Sequence, residues 1–219
     1  MKKLLLSLAP AVLLVSTAWA DATDDLLDRL QTLKSMKGQF EQVVLDQGGT
    51  HMQEATGRFQ VARGNQFYWL TETPYEQMAA SDGETVWVYD KDLEQVVVRP
   101  LSQDLGQTPA LLFGGKPADV AKAFSISERD NQGGEVTYRL TPKGQDPLFD
   151  QLDVTFKGDE PASMRLQDAL GQQTVIDFKS LTLNGGIDSD LFHFEPPEGT
   201  DVIQPVSYTH LRAHETSEN

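Results

Sequence analysis

Few side chains in this 219-residue sequence are suited to catalysis or metal binding. The absence of cysteine rules out thiol catalysis, thiolate metal sites and disulfides together. Only His51 and His193 lie in the predicted domain over residues 21–205, and no Gly-x-Ser-x-Gly motif supplies a serine nucleophile for either of them. Carboxylates are plentiful, so a two-carboxylate glycosidase stays open from the residue inventory alone.

Two segments resemble ligand-binding loops without having the residues that bind the ligand. Gly114-Gly115-Lys116 is not a phosphate-binding loop, because Pro117 stands where that loop needs serine or threonine. Residues 90–94 begin like a calcium-binding loop, but Leu101 replaces the closing glutamate. We therefore predict no catalytic residue, no metal site and no cofactor, and we expect a protein that is not an enzyme.

The N-terminus has the pattern of a secretory signal peptide. Lys2 and Lys3 precede an apolar stretch over residues 4–15, and Ala18-Trp19-Ala20 is an A-x-A cleavage motif. We expect cleavage after Ala20, a soluble mature chain and no stable membrane insertion, because the apolar stretch is too short for a membrane anchor. Export without disulfides favours the bacterial periplasm.

The mature chain is strongly acidic. Loss of two lysines from the 18 basic residues leaves 16 basic residues against 33 acidic ones, a formal net charge of −17. Such a surface repels nucleic acid and anionic lipid headgroups, so we predict neither as a partner. The negative charge would favour a partner with a basic docking patch. Solubility alone explains the charge equally well.

Most of the predicted secondary-structure elements, which must position any functional site, are strands. Thr23 is predicted to cap a helix whose apolar face begins at Leu26 and which ends at Gly38. Alternating patterns then predict eleven strands, near residues 39–45, 52–62, 66–71, 76–81, 84–90, 94–100, 135–141, 150–157, 162–168, 172–183 and 190–194. Gly-containing turns separate several of them and favour antiparallel hairpins in a single domain over residues 21–205.

The strands carry large apolar side chains that must face either a core or an apolar ligand. Phe67 and Trp69 are two residues apart and therefore point to the same side of their strand. A two-residue turn at Asp82-Gly83 would place Met78 opposite Trp87.

Between residues 101 and 124 the strand pattern stops. Residues 108–113 form a short apolar helical patch that ends at Gly114-Gly115, and a second helix is predicted from Pro117 to Phe124. Such a patch in an antiparallel sheet protein is either a core plug or a movable cover. Residues 206–219 have no periodicity, and we expect them to be a disordered or non-native tail.

Three segments together resemble the family of outer-membrane lipoprotein carrier proteins, which are periplasmic chaperones. They are residues 57–69, residues 81–89 and the ending at residues 192–202. The resemblance implies a mainly β fold with some helix: an unclosed antiparallel half-barrel, here of about 11 strands, whose helices cover a concave apolar face. It also implies an apolar cavity that receives acyl chains.

The resemblance also assigns roles to residues. Arg63 matches an arginine that holds the helical cover shut, and Gly64 stands where the family usually has proline. The residues predicted to line the acyl cavity are Phe59, Phe67, Trp69, Met78 and Trp87. The residues predicted for the covering helix are Pro109, Leu111, Leu112 and Phe113.

The implied function is a monomeric carrier that binds the acyl chains of lipoproteins. An inner-membrane ABC transporter would load it, and an outer-membrane lipoprotein receptor would accept the cargo. Two alternatives remain. One is a periplasmic lipid-binding sensor module of similar half-barrel fold. The other is the receptor itself, which has a lipidated N-terminal cysteine that this sequence lacks.

Overall fold

All twelve strands among the described residues belong to one sheet. The computed structural model describes residues 18–101, 111–144, 147 and 149–204. The predicted tail and Pro109 of the predicted covering helix lie outside these ranges. No helix within them combines the length and the apolar character needed to cross a membrane.

Short helices accompany the strands along the chain. The helices are α1 (Ala18–Thr32), α2 (Leu111–Gly114) and α3 (Pro117–Ala123), with a 3-10 helix at Ser189–Phe192. The first six strands are β1 (Ser35–Leu45), β2 (His51–Ala62), β3 (Gln66–Thr73), β4 (Gln77–Asp82), β5 (Thr85–Asp90) and β6 (Gln95–Pro100). The other six are β7 (Phe124–Gln132), β8 (Glu135–Pro142), β9 (Gln151–Lys157), β10 (Glu160–Gln167), β11 (Gln173–Leu183) and β12 (Asp201–Ile203).

The sheet is open and almost entirely antiparallel. Its strand order is β12-β6-β5-β4-β3-β2-β1-β11-β10-β9-β8-β7. The two edge strands, β12 and β7, do not pair with each other, so the barrel is not closed. Two meanders, β1 to β6 and β7 to β11, join through the long β1–β11 ladder. Among these twelve strands, only β12 runs parallel to its neighbour, β6. The predicted unclosed antiparallel sheet with helices is confirmed, with one more strand than expected.

The three α-helices pack on one face of the sheet, which we call the inner face and define by Phe40, Phe59 and Phe67. Leu26 and Leu30 of α1, and Leu33 directly after it, are buried against this face in the main hydrophobic core. The core also contains the apolar residues of α2 and Val120 of α3. Helices that bury an apolar stripe on a sheet form a two-layer structure, in which side chains alternate between the core and the other face along each strand.

A second, smaller cluster lies on the opposite side, which we call the outer face. It consists of Leu70, Met78, Ala80, Trp87 and Val96. The chain after the 3-10 helix covers part of this cluster, where His193 meets the edge of Trp87 at a centroid distance of 5.1 Å. Strands β3 to β6 therefore carry apolar side chains on both faces of the sheet.

Two predicted elements differ from the structure, and two observed strands were not predicted. Helix α1 begins at Ala18, so Thr23 lies inside it, and Gly38 lies within β1 instead of ending the helix. At Gly38 β1 approaches β11 so closely that a Cβ would lie 2.7 Å from the Lys179 carbonyl oxygen. The predicted strand at 190–194 is instead the 3-10 helix, which Asp188 caps through its side chain. The sequence patterns predicted neither β7 nor β12.

Candidate functional site

An apolar cavity of about 300 Å³ lies between the two halves of the sheet on the inner face. Strands β1 to β6, β10 and β11 contribute its walls, and α2 contributes one side chain. The lining residues are Met36, Gln42, Val61, Phe67, Trp69, Ala79, Val86, Val88, Arg99, Phe113, Met164, Leu166, Thr174, Ile176 and Phe178. Twelve of these fifteen side chains are apolar, which suits the cavity to a hydrocarbon ligand.

Three of the five predicted lining residues lie on the inner face. Phe67 and Trp69 line the cavity, as their spacing on β3 allows. Trp69 stacks on Phe40 at a centroid distance of 4.4 Å and on Phe59 at 5.2 Å. Phe59 is only 1% exposed, and it packs in the core beside the cavity instead of lining it.

The prediction that Met78 and Trp87 line the cavity is wrong. Both belong to the outer-face cluster. The β4–β5 turn is centred on Gly83-Glu84, so Met78 pairs with Tyr89 and Ala80 pairs with Trp87. Because partners in a ladder share a face, Met78 and Trp87 do lie on the same side of the sheet, but this side is the one opposite α1 and α2.

Helix α2 covers one end of the cavity. Leu111, Leu112 and Phe113 are all buried, and α2 contacts β1, β2 and β3. The Phe113 ring lines the cavity and meets the edge of Phe178 at 5.8 Å between centroids. Gly114 permits this close packing, because a Cβ at this position would lie 3.0 Å from the Ala62 carbonyl oxygen.

Arg63 connects the sheet to two helices. It lies in the three-residue loop between β2 and β3, and its guanidinium donates to the carbonyl oxygens of Gly115, just after α2, and of Leu30, in the last turn of α1. Burial lowers the pKa of this guanidinium, which still stays charged at neutral pH. Carbonyls at the C-terminal ends of helices lack helical partners, so one arginine can satisfy both.

Gly64 adopts a conformation that the proline expected from the family resemblance could not reach. Its φ is +92°, whereas a proline ring fixes φ near −65°. The neighbouring Asn65 has a φ of +61°, and its backbone N–H donates to the Gly114 carbonyl oxygen at 3.1 Å. The loop therefore binds the end of α2 through both a side chain and its backbone.

A second polar cluster, which the sequence did not reveal, holds α1 against the β7–β11 half of the sheet. The Tyr138 hydroxyl, on β8, donates to the Asp25 carboxylate, and Arg29 donates to the same hydroxyl at 2.9 Å. Arg29 also donates to the Gly158 carbonyl oxygen. The spacing of Asp25 and Arg29 favours an ion pair along the helix, but nothing in the sequence identifies Tyr138 as the partner.

Tyr138→Phe should make the stability less dependent on alkaline pH. Burial, together with the hydrogen bond to Asp25, raises the pKa of the Tyr138 hydroxyl. The folded state therefore holds this proton more tightly than the unfolded state. The resulting stability is fully present below the unfolded pKa of about 10 and is lost progressively as the pH rises from there through the higher folded pKa. At pH 8 we expect Tyr138→Phe to lower the free energy of unfolding by about 1–3 kcal/mol.

Urea unfolding at pH 8 and pH 11 tests this expectation. The difference between wild type and Tyr138→Phe should shrink at the higher pH. The control is Tyr75→Phe, because Tyr75 is 71% exposed and should change stability little at either pH. An equal difference at both pH values would show that the hydroxyl is not held in this way.

Comparisons with known proteins agree on one family. The family model described as "Outer membrane lipoprotein carrier protein LolA" matches residues 31–195. An outer-membrane lipoprotein carrier protein from Alcanivorax borkumensis is 88% identical over 206 residues, which cover 93% of this chain and 99% of the relative. One from Hahella chejuensis is 40% identical over 199 residues, which cover 90% of this chain and 94% of the relative.

A solved structure supports the fold alone. An uncharacterized conserved protein from Thermus thermophilus superposes with a TM-score of 0.50 at 13% sequence identity. The superposition covers 85% of this chain and 99% of that protein. At this identity the similarity concerns the architecture of sheet and helices, and the function has to be argued from the family and the cavity.

Proposed function

The chain belongs to the outer membrane lipoprotein carrier protein family, and from this we propose that it binds the acyl chains of lipoproteins in the cavity beneath α2. It is a periplasmic lipoprotein chaperone. A carrier function does not require catalytic groups, which agrees with the residue inventory of the sequence. One observation carries the acyl-binding proposal: an apolar cavity lies beneath α2, and α2 is held in place by the hydrogen bond from Arg63 as well as by apolar packing.

The size of the cavity supports a cover that moves. A volume of about 300 Å³ is at the lower end of the range for sites that hold one drug-sized molecule. Long acyl chains need more space, so α2 must shift away from β1, β2 and β3 during loading. Arginine-to-carbonyl hydrogen bonds suit such a shift, because water can replace each of them when the cover opens.

The strength of acyl burial limits how deeply the cargo can be bound. Burial of one methylene group contributes about 0.8 kcal/mol, so three long chains that were fully buried would contribute on the order of 35 kcal/mol. Reversible binding does not exceed roughly 18–21 kcal/mol. A carrier that must release its cargo is therefore expected to bury the chains only in part, and its closed cover competes with them for the inner face.

The partners follow from this cycle. No phosphate-binding loop occurs in the sequence, so the energy for loading has to come from another protein. We propose an inner-membrane ABC transporter as the donor of the cargo and an outer-membrane lipoprotein receptor as its acceptor, with the carrier itself a monomer. We also propose that the signal peptide is removed after Ala20, which leaves Leu26 and the rest of the apolar face of α1 in place.

Native mass spectrometry of the protein purified from a periplasmic extract tests the proposed function. A carrier should retain lipid or lipopeptide, which organic extraction removes, and the remaining mass should correspond to a chain that begins at Asp21. A sensor module that binds only a protein would carry no lipid. Wild-type protein that neither retains lipid nor takes up a synthetic triacylated lipopeptide would contradict the acyl-carrier function.

A further inference from the structure

One charged side chain lies among the described residues that line the cavity, and it belongs to Arg99. Arg99 is the fifth residue of β6, and it pairs with Val86 on β5, whose side chain also lines the cavity. Ladder partners share a face, so the register places Arg99 on the inner face. On the neighbouring strands β3 to β5 every cavity-lining residue is apolar: Phe67, Trp69, Ala79, Val86 and Val88.

The Arg99 guanidinium remains available to a ligand. Arg99 is exposed, and within the part of the chain that the structure describes it has no hydrogen-bond or ion-pair partner. Arg63 differs in this respect, because its guanidinium is engaged by two carbonyl oxygens. Arg99 therefore presents free N–H donors at the point where the apolar wall of the cavity meets water.

Two uncharged polar residues line the cavity on its other wall. Gln42 of β1 pairs with Ile176, and Thr174 of β11 pairs with Val44, so Gln42 and Thr174 are diagonal neighbours on one face. Both are half-buried and line the cavity. Hydrogen-bonding groups thus lie on both walls around an apolar interior.

We propose that Arg99 binds the ester carbonyl oxygens of the acyl groups and thereby fixes how far the chains enter the cavity. The inference rests on the proposed function. Every ester-linked acyl chain ends in a carbonyl, which loses its hydrogen bonds to water if it enters an apolar cavity without a donor. The carbonyls must therefore lie where the hydrocarbon wall ends, and Arg99 supplies charged donors there.

Ester-to-ether replacement in the ligand tests this directly. The probes are a synthetic triacylated lipopeptide with two ester-linked chains and its analogue in which both are ether-linked, so that only the two carbonyl oxygens are lost. Binding of each probe is measured, at one fixed detergent concentration, to wild type, to Arg99→Met and to Arg58→Met. Methionine keeps most of the apolar stem of arginine, so packing against the cavity wall changes little.

The wild type should bind the ester form about tenfold more tightly than the ether form, as expected for a charge-assisted hydrogen bond partly exposed to water. Arg99→Met should bind both probes alike, with an affinity close to that of wild type for the ether form. Arg58→Met is the matched control, because it removes the same charge from the outer face, away from the cavity. Arg58 lies in β2 and pairs with Leu70 of the outer-face cluster. Arg58→Met should keep the wild-type preference.

Two results would overturn the inference. One is an ester preference that is unchanged in Arg99→Met, and the other is a wild type that binds both probes equally. In either case Arg99 would be a solvated cation whose stem packs against the cavity wall. If wild type bound neither probe, the proposed function would fail and the inference with it, a result distinct from equal binding of both. Should Arg99→Met fail to fold, Arg99→Gln is measured in its place.

Discussion

Arg63→Leu is expected to shift the protein towards its open state, so that uptake of lipoprotein persists while release weakens. The substitution removes the hydrogen bonds to the carbonyl oxygens of Gly115 and Leu30, which hold α2 and the end of α1 to the sheet. Two such bonds contribute about 1–3 kcal/mol together, or roughly a 5- to 150-fold change in the ratio of closed to open protein. A cover that closes less readily competes less with bound acyl chains.

An in vitro transfer assay with purified donor and acceptor membrane proteins measures this effect. Loading by Arg63→Leu should match wild type or exceed it, and delivery to the receptor should fall by at least about tenfold. Hydrogen exchange gives an independent readout, because the amides of α2 should exchange faster in the variant. The part of α1 around Asp25 should remain protected, since Tyr138 still holds Asp25 and Arg29.

Two further variants make the result specific to Arg63. Arg58→Leu removes an arginine of the outer face and should transfer cargo as wild type does. Arg63→Lys keeps the charge but loses the planar fork that binds two carbonyls at once, so its release should be intermediate. A variant that loads poorly but releases normally, or one that behaves as wild type throughout, would contradict the role of Arg63 as a latch.

Ala79→Phe is expected to abolish lipoprotein binding while the protein still folds. Ala79 pairs with Trp69 on one side and with Val88 on the other, so a larger side chain at this position projects into the cavity. Ala79 is half-buried and borders empty space, so the ring can be accommodated without the strain that overpacking of a full core causes. The ring then occupies volume that the acyl chains would need.

Lipopeptide binding and thermal unfolding should be measured together. Ala79→Phe should lose binding by more than about tenfold with a melting temperature close to that of wild type, because the change removes no core contact. Ala79→Ser changes polarity with little change in volume and should bind nearly as wild type does. Undiminished binding by a folded Ala79→Phe would show that the acyl chains lie elsewhere. Phe67 is less useful here, because it is 4% exposed within the main core and its loss also lowers stability.

The sequence by itself determined most of the hairpins and which side chains share a face. Period-two alternation and glycine turns predicted ten of the strands near their observed positions, and the Phe67/Trp69 spacing placed both rings on one side of β3. Strand β7 was missed because polar residues dominate this edge strand, in which Ile126 is the one buried apolar residue after Phe124. Strand β12 has three residues and depends on pairing with the distant β6, which local patterns do not reveal.

Only the tertiary structure decided which face of the sheet contains the cavity. Met78 and Trp87 are as apolar as Phe67 and Trp69, so alternation alone could not tell the inner face from the outer one. The packing of α1 and α2 on one side makes that distinction. A family resemblance placed Arg63 at the cover, but its second bond, to Leu30, became visible only in the structure.

The same limit applies to Tyr138, which is separated from Asp25 by 113 residues along the chain. Local sequence determines the propensities of a segment and the direction of its side chains. Contacts between segments far apart in the chain depend on how the sheet curves and where the helices pack, and the site depends on those contacts.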